Sequence, residues 1–143
     1  MDIVELSPGD ERLAAVFPVM RELRTDLSDG ELRAIYESEH PNGYRVAALF
    51  DEGECRAAAG YRLMTNFVSG RYLYVDDLVT AEARRSQGYG RHLTDYLLEL
   101  ARNEGCTSVQ LDSNVRRRDA HRFYFRERYW ISAFHFTRLV THE

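Results

Sequence analysis

The sequence predicts an α/β fold: a mixed β-sheet, mostly antiparallel in its N-terminal half, with a parallel central pair and about four helices covering its faces. Three observations carry this. Three strand-like runs between residues 44 and 80 are joined by short turns, which makes them antiparallel neighbours. A strand–helix–strand unit then runs from Tyr72 to Asp112, and such a crossover is right-handed and joins parallel strands. Apolar residues at helical spacing flank the strands on both sides in the chain, so helices are available for both faces.

The elements follow in order. Ile3–Leu6 is a short strand, and Pro8-Gly9-Asp10 is a turn with Asp10 as N-cap candidate. Leu13, Val16, Phe17, Met20, Leu23 and Leu27 recur at helical spacing, and Pro18 should kink that helix or end its first part. Ser28 or Asp29 can cap a second helix carrying Leu32, Ile35 and Tyr36, stopped at His40-Pro41-Asn42-Gly43. Tyr44–Phe50 and Arg56–Met64 flank the hairpin signal Asp51-Glu52-Gly53-Glu54. After Ser69-Gly70 comes a third long strand, Arg71–Thr80. Leu93, Leu97, Leu100 and Ala101 mark a helix ending at Glu104, with Gly105 in the position that favours left-handed backbone. Ser108–Asp112 is a short strand, Arg118–Arg128 a helix, and Ile131–Val140 the closing strand.

Composition excludes several classes. The 143 residues suit one domain, 1–143, with no linker or repeat and only 3 Pro and 9 Gly. Hydrophobic residues at 44% and aromatics at 12% argue for a packed core rather than disorder. The longest apolar runs, such as Val46–Phe50, are far short of the roughly 20 residues that span a bilayer. MDIVELSPGDER is not a basic segment followed by an apolar one, so a cytoplasmic location is expected, with Cys55 and Cys106 as reduced thiols. Two cysteines do not make a four-ligand zinc site, and no metal is expected. The net charge of −4 does not favour nucleic acid and mildly suits a cationic substrate.

The most informative stretch is Arg84-Arg85-Ser86-Gln87-Gly88-Tyr89-Gly90-Arg91, between a strand and a helix. A helix start carries unpaired N–H groups and partial positive charge, which together attract phosphate. Gly88 and Gly90 let the backbone bend and phosphate oxygens approach, while Arg85, with Arg84 or Arg91, can add charge-assisted hydrogen bonds. Alone the motif is weak: Arg/Gln-x-x-Gly-x-Gly/Ala should arise by chance on the order of once in ten chains this long. It is neither a dinucleotide-binding fingerprint, because Leu93 holds the third glycine position, nor a P-loop, because no Gly-Lys-Ser/Thr follows.

Downstream stands Asp119-Ala120-His121-Arg122-Phe123-Tyr124-Phe125-Arg126-Glu127-Arg128-Tyr129-Trp130. Together with DLVTAEARRSQGYGRHL it resembles the GNAT superfamily of N-acetyltransferases, in which a strand, an Arg/Gln-x-x-Gly-x-Gly/Ala turn, a helix, a strand and Ala-x-x-Phe-Tyr on a helix follow in this order. The detailed match runs from about Tyr72 to Tyr129. Two positions depart from the pattern. Arg128-Tyr129 replaces the frequent Gly-Phe after the last helix, and Arg117 stands where an Asn is common, with Asn114 nearby but out of register.

The resemblance implies acetyl-CoA as acetyl donor. Arg85, Ser86, Gln87, Gly88, Tyr89, Gly90 and Arg91 would wrap its pyrophosphate; Leu78, Val79 and Thr80 would pair with the pantetheine arm; Asn114 and Arg117 are further candidates for cofactor contacts. The parallel strands ending at Thr80 and Asp112 must splay to admit the arm, and a β-bulge near Asp76–Leu78 would do this. The Leu78 N–H would then polarise the thioester carbonyl. Tyr124 matches the family's general acid for the departing thiolate, although it could instead be a core aromatic beside Phe123 and Phe125. Asp76 is the candidate base or ammonium ligand; Asp76 and Asp77 are adjacent on a strand and should point to opposite faces. His121 is a second candidate base.

The expected activity is acetyl transfer to a primary amine of a small molecule by direct attack in a ternary complex. Acetylation of a protein lysine or N-terminus is the alternative of the same chemistry, and a non-catalytic acyl-CoA-binding module the alternative of another class. Phe134-His135-Phe136 could line a pocket, form a homodimer contact, or simply alternate in a half-buried strand.

Overall fold

The computed structural model describes residues 1–141. The chain divides into two compact units, Met1–Leu111 and the part from Asp112 onward.

The first unit holds a five-stranded sheet in chain order. Its strands are β1 (Asp2–Leu6), β2 (Arg45–Asp51), β3 (Glu54–Asn66), β4 (Gly70–Thr80) and β5 (Val109–Leu111). The first four are antiparallel neighbours, and β4 with β5 is the expected parallel pair. Glu52 and Gly53 both take positive φ (52° and 77°), the geometry that matches a two-residue hairpin turn to strand twist.

Two helices, α1 (Leu13–Arg21) and α2 (Asp29–Glu39), precede β2. Asp10 accepts from the N–H of Arg12, ahead of the helix proper, while the α1 N-cap position is Arg12 itself, without a side-chain cap. Pro18 lies inside α1 without ending it. Ser28 caps α2 in a reciprocal box with Glu31: its hydroxyl accepts from the Glu31 N–H, and the Glu31 carboxylate accepts from the Ser28 N–H. Helix α3 (Tyr89–Asn103) ends on Gly105 at φ 72°, with the Cys106 N–H returning to the Ala101 carbonyl, so the glycine expected there is used as expected.

Strand alternation divides the core into two layers. Val46, Ala48, Ala58 and Val79 pack with Leu13, Val16, Phe17 and Met20 of α1 and with Tyr36 of α2. Ala47, Leu49, Ala57, Ala59, Leu73 and Val75 pack with Leu93, Leu97 and Ala101 of α3. Tyr36 fastens the first layer: its hydroxyl donates to the Leu6 carbonyl and accepts from the Val46 N–H.

The unit from Asp112 contains α4 (Arg118–Arg126) and a segment in which no regular element is assigned up to Thr141. The closing strand expected at Ile131–Val140 is therefore not formed. Alternating apolar residues make a segment competent to be a strand, but a strand exists only in a ladder, and among the described residues nothing pairs with this one. Arg128, standing where the family pattern has glycine, takes φ 69°, and the Tyr129 N–H reaches back to the Tyr124 carbonyl. The helix-ending turn is thus kept with an arginine in left-handed backbone.

Candidate active site

The β4–β5 ladder stops at Val75–Leu111. On the opposite side of β4 the register slips at the same level: Gly60 faces Asp77 while Tyr61 faces Val75, which leaves Asp76 as an extra residue. This is the bulge expected near Asp76–Leu78. Beyond it Asp77–Thr80 continue paired to β3 and have no β5 partner, because β5 ends at Leu111.

The bulge also corrects the expectation for the two aspartates. Leu73, Val75 and Leu78 pack in the α3 layer, so the alternation skips a residue and Asp76 and Asp77 fall together on the other face. Asp77, its side chain only 10% exposed, accepts from the Tyr44 hydroxyl (2.5 Å) and Arg24 Nε (2.6 Å). Asp76 accepts from Arg62 Nε (3.2 Å), and Arg62 also reaches Glu39 (3.5 Å) and lies over the Tyr44 ring at 4.6 Å. Burial pushes the Asp76 carboxyl above its ordinary range, with Arg62 opposing the shift and Asp77 adding to it. Burial and the neighbouring Asp77 hold the Tyr44 phenol far above its own. The cluster borders a shallow cleft whose floor includes Phe17, Met20, Ile35 and Tyr36 and whose polar end is Arg24 and Asp77.

Sequence reasoning missed Arg24, Tyr44 and Arg62. A signal was present: a glycine inside a strand marks a bulge or a close approach, and Gly60 is both. A Cβ on Gly60 would meet the Tyr44 hydroxyl and lie 2.8 and 2.9 Å from Cε1 and Cζ of its ring.

Past Thr80, the Ala81 N–H donates to the Arg56 carbonyl (2.8 Å) and the Glu82 N–H to Glu22 Oε1 (2.6 Å), while Arg84 pairs with Glu54. The base of the loop is thereby fixed, and Arg85, Ser86, Gln87 and Gly88 are exposed at its tip. Ser86 (φ 66°) and Gly88 (φ 83°) both lie in left-handed backbone and curl the chain into α3. The first intrahelical bond runs from the His92 N–H to the Gly88 carbonyl, so the amides of Tyr89 and Gly90 precede it, and no side chain caps the helix. Nothing lies within 4 Å of where a Gly88 Cβ would be. This is a fit for a diphosphate: amide hydrogens, partial positive charge and open space.

The Tyr89 side chain is engaged elsewhere. Its hydroxyl donates to Asp51 (2.7 Å) and its ring packs in the α3 layer under Arg56, so only its backbone remains for the loop. That bond anchors the helix start to the β2–β3 hairpin, a support the sequence did not disclose. Leu78 and Val79 turn their side chains into opposite core layers, and Thr80 ends the strand.

In the unit from Asp112, Tyr124 is partly buried, with Phe123 and Tyr129 edge-on to it at 5.6 and 5.7 Å. Burial raises the Tyr124 phenol, while Arg117, hydrogen-bonded to it, works in the opposite direction. The Asn114 side chain accepts from the Arg116 N–H, shaping the turn into α4, and its carbonyl meets His121 Nε2 at 2.8 Å.

The family model described as Acetyltransferase (GNAT) family matches residues 12–128. The chain belongs to the GNAT acetyltransferase family. It is a GNAT N-acetyltransferase, of a family that uses acetyl-CoA. It is 37% identical over 115 residues, 80% of this chain and 81% of the relative, to the "Uncharacterized N-acetyltransferase YhdJ" of Bacillus subtilis. A shorter stretch of 66 residues, 46% of this chain and 43% of the other, is 42% identical to the aminoalkylphosphonate N-acetyltransferase of Salmonella typhimurium. Among solved structures, the aminoglycoside N-acetyltransferase AAC(6')-Iy in complex with CoA superposes with a TM-score of 0.85 over 98% of this chain and 95% of its own, at 14% identity, a likeness of fold. In this GNAT enzyme no helix among the described residues is long and apolar enough to cross a membrane.

Proposed function

We propose that this enzyme transfers the acetyl group of acetyl-CoA to the primary amine of a small molecule by direct attack in a ternary complex. The observation that carries the reading is the bulge at Asp76. The irregularity lies just past the end of the β4–β5 ladder, before Leu78–Thr80, and puts two carboxylates on one sheet face, of which Asp77 lines the cleft beside α1 and α2. The end of the ladder leaves a strand edge for the pantetheine arm, and the carboxylates supply negative charge for an ammonium.

The residues divide the work. The exposed turn Arg85–Gly90 and the first amides of α3 hold the diphosphate, with Arg85 and Arg91 as charged donors. Leu78, Val79 and Thr80 offer backbone to the arm, and the Leu78 N–H polarises the thioester carbonyl as negative charge develops on its oxygen. Asp76, its carboxyl raised above the ordinary carboxylate range by burial, is suited to take a proton from the amine. Tyr124 has the family's role of returning a proton to the departing thiolate, and Asn114 and Arg117 serve the same region. Small-molecule acceptors are supported by the relatives, which include an aminoalkylphosphonate N-acetyltransferase.

The test is release of CoA thiol from acetyl-CoA across a panel of primary amines, aminoalkylphosphonates and aminoglycosides included, with lysine peptides as a separate arm. Amine-dependent release with a small molecule is the expected result. Release with peptides alone would move the acceptor to protein, and tight acetyl-CoA binding without release for any amine would leave a binding module.

A further inference from the structure

Among the described residues one charged side chain is buried: Arg56 of β3, only 3% exposed. A buried ion pair adds little net stability, because desolvation offsets its attraction. What Arg56 does supply is geometry. The chain forms a second β-bulge at this residue: Leu49 faces Ala57 and Phe50 faces Cys55, which leaves Arg56 as the extra residue. Ala57 packs in the α3 layer, and the skipped alternation puts Arg56 on that same face, against the start of α3.

There its contacts converge on one loop. Its Nε donates to the Asp51 carbonyl (3.2 Å), its Nη1 pairs with Glu54 (2.9 Å), and its guanidinium lies 5.9 Å from the centre of the Tyr89 ring. Its own carbonyl accepts from the Ala81 N–H (2.8 Å). Ala81 and Tyr89 are the two ends of the glycine turn, so one residue holds both. The ties also close on each other. The Tyr89 hydroxyl donates to Asp51, and Glu54 takes Arg84 from within the turn (3.3 Å) as well as Arg56. We propose that Arg56 is a positioning residue for the acetyl-CoA diphosphate: it fastens both ends of residues 81–89 to the β2–β3 hairpin and so fixes the curl at which the turn's amides meet the phosphates. The inference rests on the reading that this turn holds the diphosphate, and it adds the residue that sets the turn's shape.

Arg56→Met keeps an apolar stem and removes the fork; Arg56→Lys keeps the charge, but one ammonium cannot hold the Asp51 carbonyl and Glu54 together as the planar fork does. In calorimetric titration both variants should bind CoA about tenfold or more weakly, the loss of one well-placed charge-assisted hydrogen bond, and should bind pantetheine as wild type does. In the ligand-free variants, amide hydrogen exchange across residues 81–90 should quicken while that of α1 stays unchanged. If Arg56→Met fails to fold, Arg56→Lys decides. Full CoA affinity in Arg56→Lys, equal losses for CoA and pantetheine, or unchanged exchange in the turn would overturn the inference. Equal wild-type affinities for CoA and pantetheine would instead overturn the diphosphate reading beneath it.

Discussion

Substituting Gly60 by Ala adds one methyl group at the bulge. The new Cβ would overlap the Tyr44 hydroxyl and approach its ring to 2.8–2.9 Å, closer than side chains tolerate. The strand backbone cannot yield without breaking its pairing to Asp77 and Val75, so the ring must leave. With it go three contacts: the hydrogen bond to the Asp77 carboxylate, the stack under Arg62 at 4.6 Å, and the edge contact with Tyr36 at 5.9 Å. A hydrogen bond to a charged group contributes about 1.5–3 kcal/mol, the stack about 0.5–1 kcal/mol at a partly exposed site, and the aromatic pair about 0.5–1.5 kcal/mol. Since the ring can re-form some contacts, a loss of about 2–4 kcal/mol is expected from urea unfolding. The control is Tyr44→Ala: in that background the space is vacant, and Gly60→Ala should cost less than about 0.5 kcal/mol, a coupling that a double-mutant cycle measures directly. Equal losses in both backgrounds would refute the steric account of the bulge.

Other outcomes are expected. Tyr124→Phe should leave CoA affinity unchanged and lower kcat by about 100-fold or more, the usual contribution of a positioned acid; an unchanged kcat would remove that role. The Asp51 carboxyl is held below its ordinary range, chiefly by the Tyr89 hydroxyl. Its contribution to stability is therefore present above the unfolded carboxylate range near 3.9 and lost as pH falls through the folded value. Tyr89→Phe should thus destabilise at pH 7, with the deficit shrinking in acid; a deficit constant with pH would contradict the assignment. Burial pushes the Cys55 thiol up to about 11, so it should resist a disulfide reagent at pH 8 until the chain is unfolded; prompt native-state labelling of Cys55 would contradict its burial.

Much of the fold was legible because local chemistry and global arrangement agree. Ser28 and Glu31 cap a helix as their spacing suggests, Gly105 ends one, and Glu52-Gly53 turns the hairpin. The bulge was also foreseen, through the resemblance. The paired direction of Asp76 and Asp77 was not, because a period of two is the only rule a strand sequence offers and one extra residue inverts it. Arg24, Tyr44 and Arg62 escaped because they come from three distant stretches of chain, two of them connections, that only the fold brings together, with Arg24 and Asp77 separated by 53 positions. The bond from the Tyr89 hydroxyl to Asp51, 38 residues earlier, was not legible either, because nothing near the glycines points to the β2–β3 hairpin. The strand expected at 131–140 has the right composition, but pairing is a property of two segments, and the sequence of one cannot supply the other.

In the proposed reaction the turn from Arg85 to Gly90 grips the diphosphate of acetyl-CoA. Calorimetric titration with CoA and with pantetheine, which shares the arm but lacks the phosphates, tests it most directly. Two or more charge-assisted hydrogen bonds at about 1.5–3 kcal/mol each predict that CoA binds at least about 100-fold more tightly. The advantage should fall sharply in Gly88→Ala, where an L-residue is forced to φ 83°. Equal affinities for the two ligands, or an advantage untouched by Gly88→Ala, would contradict the claim.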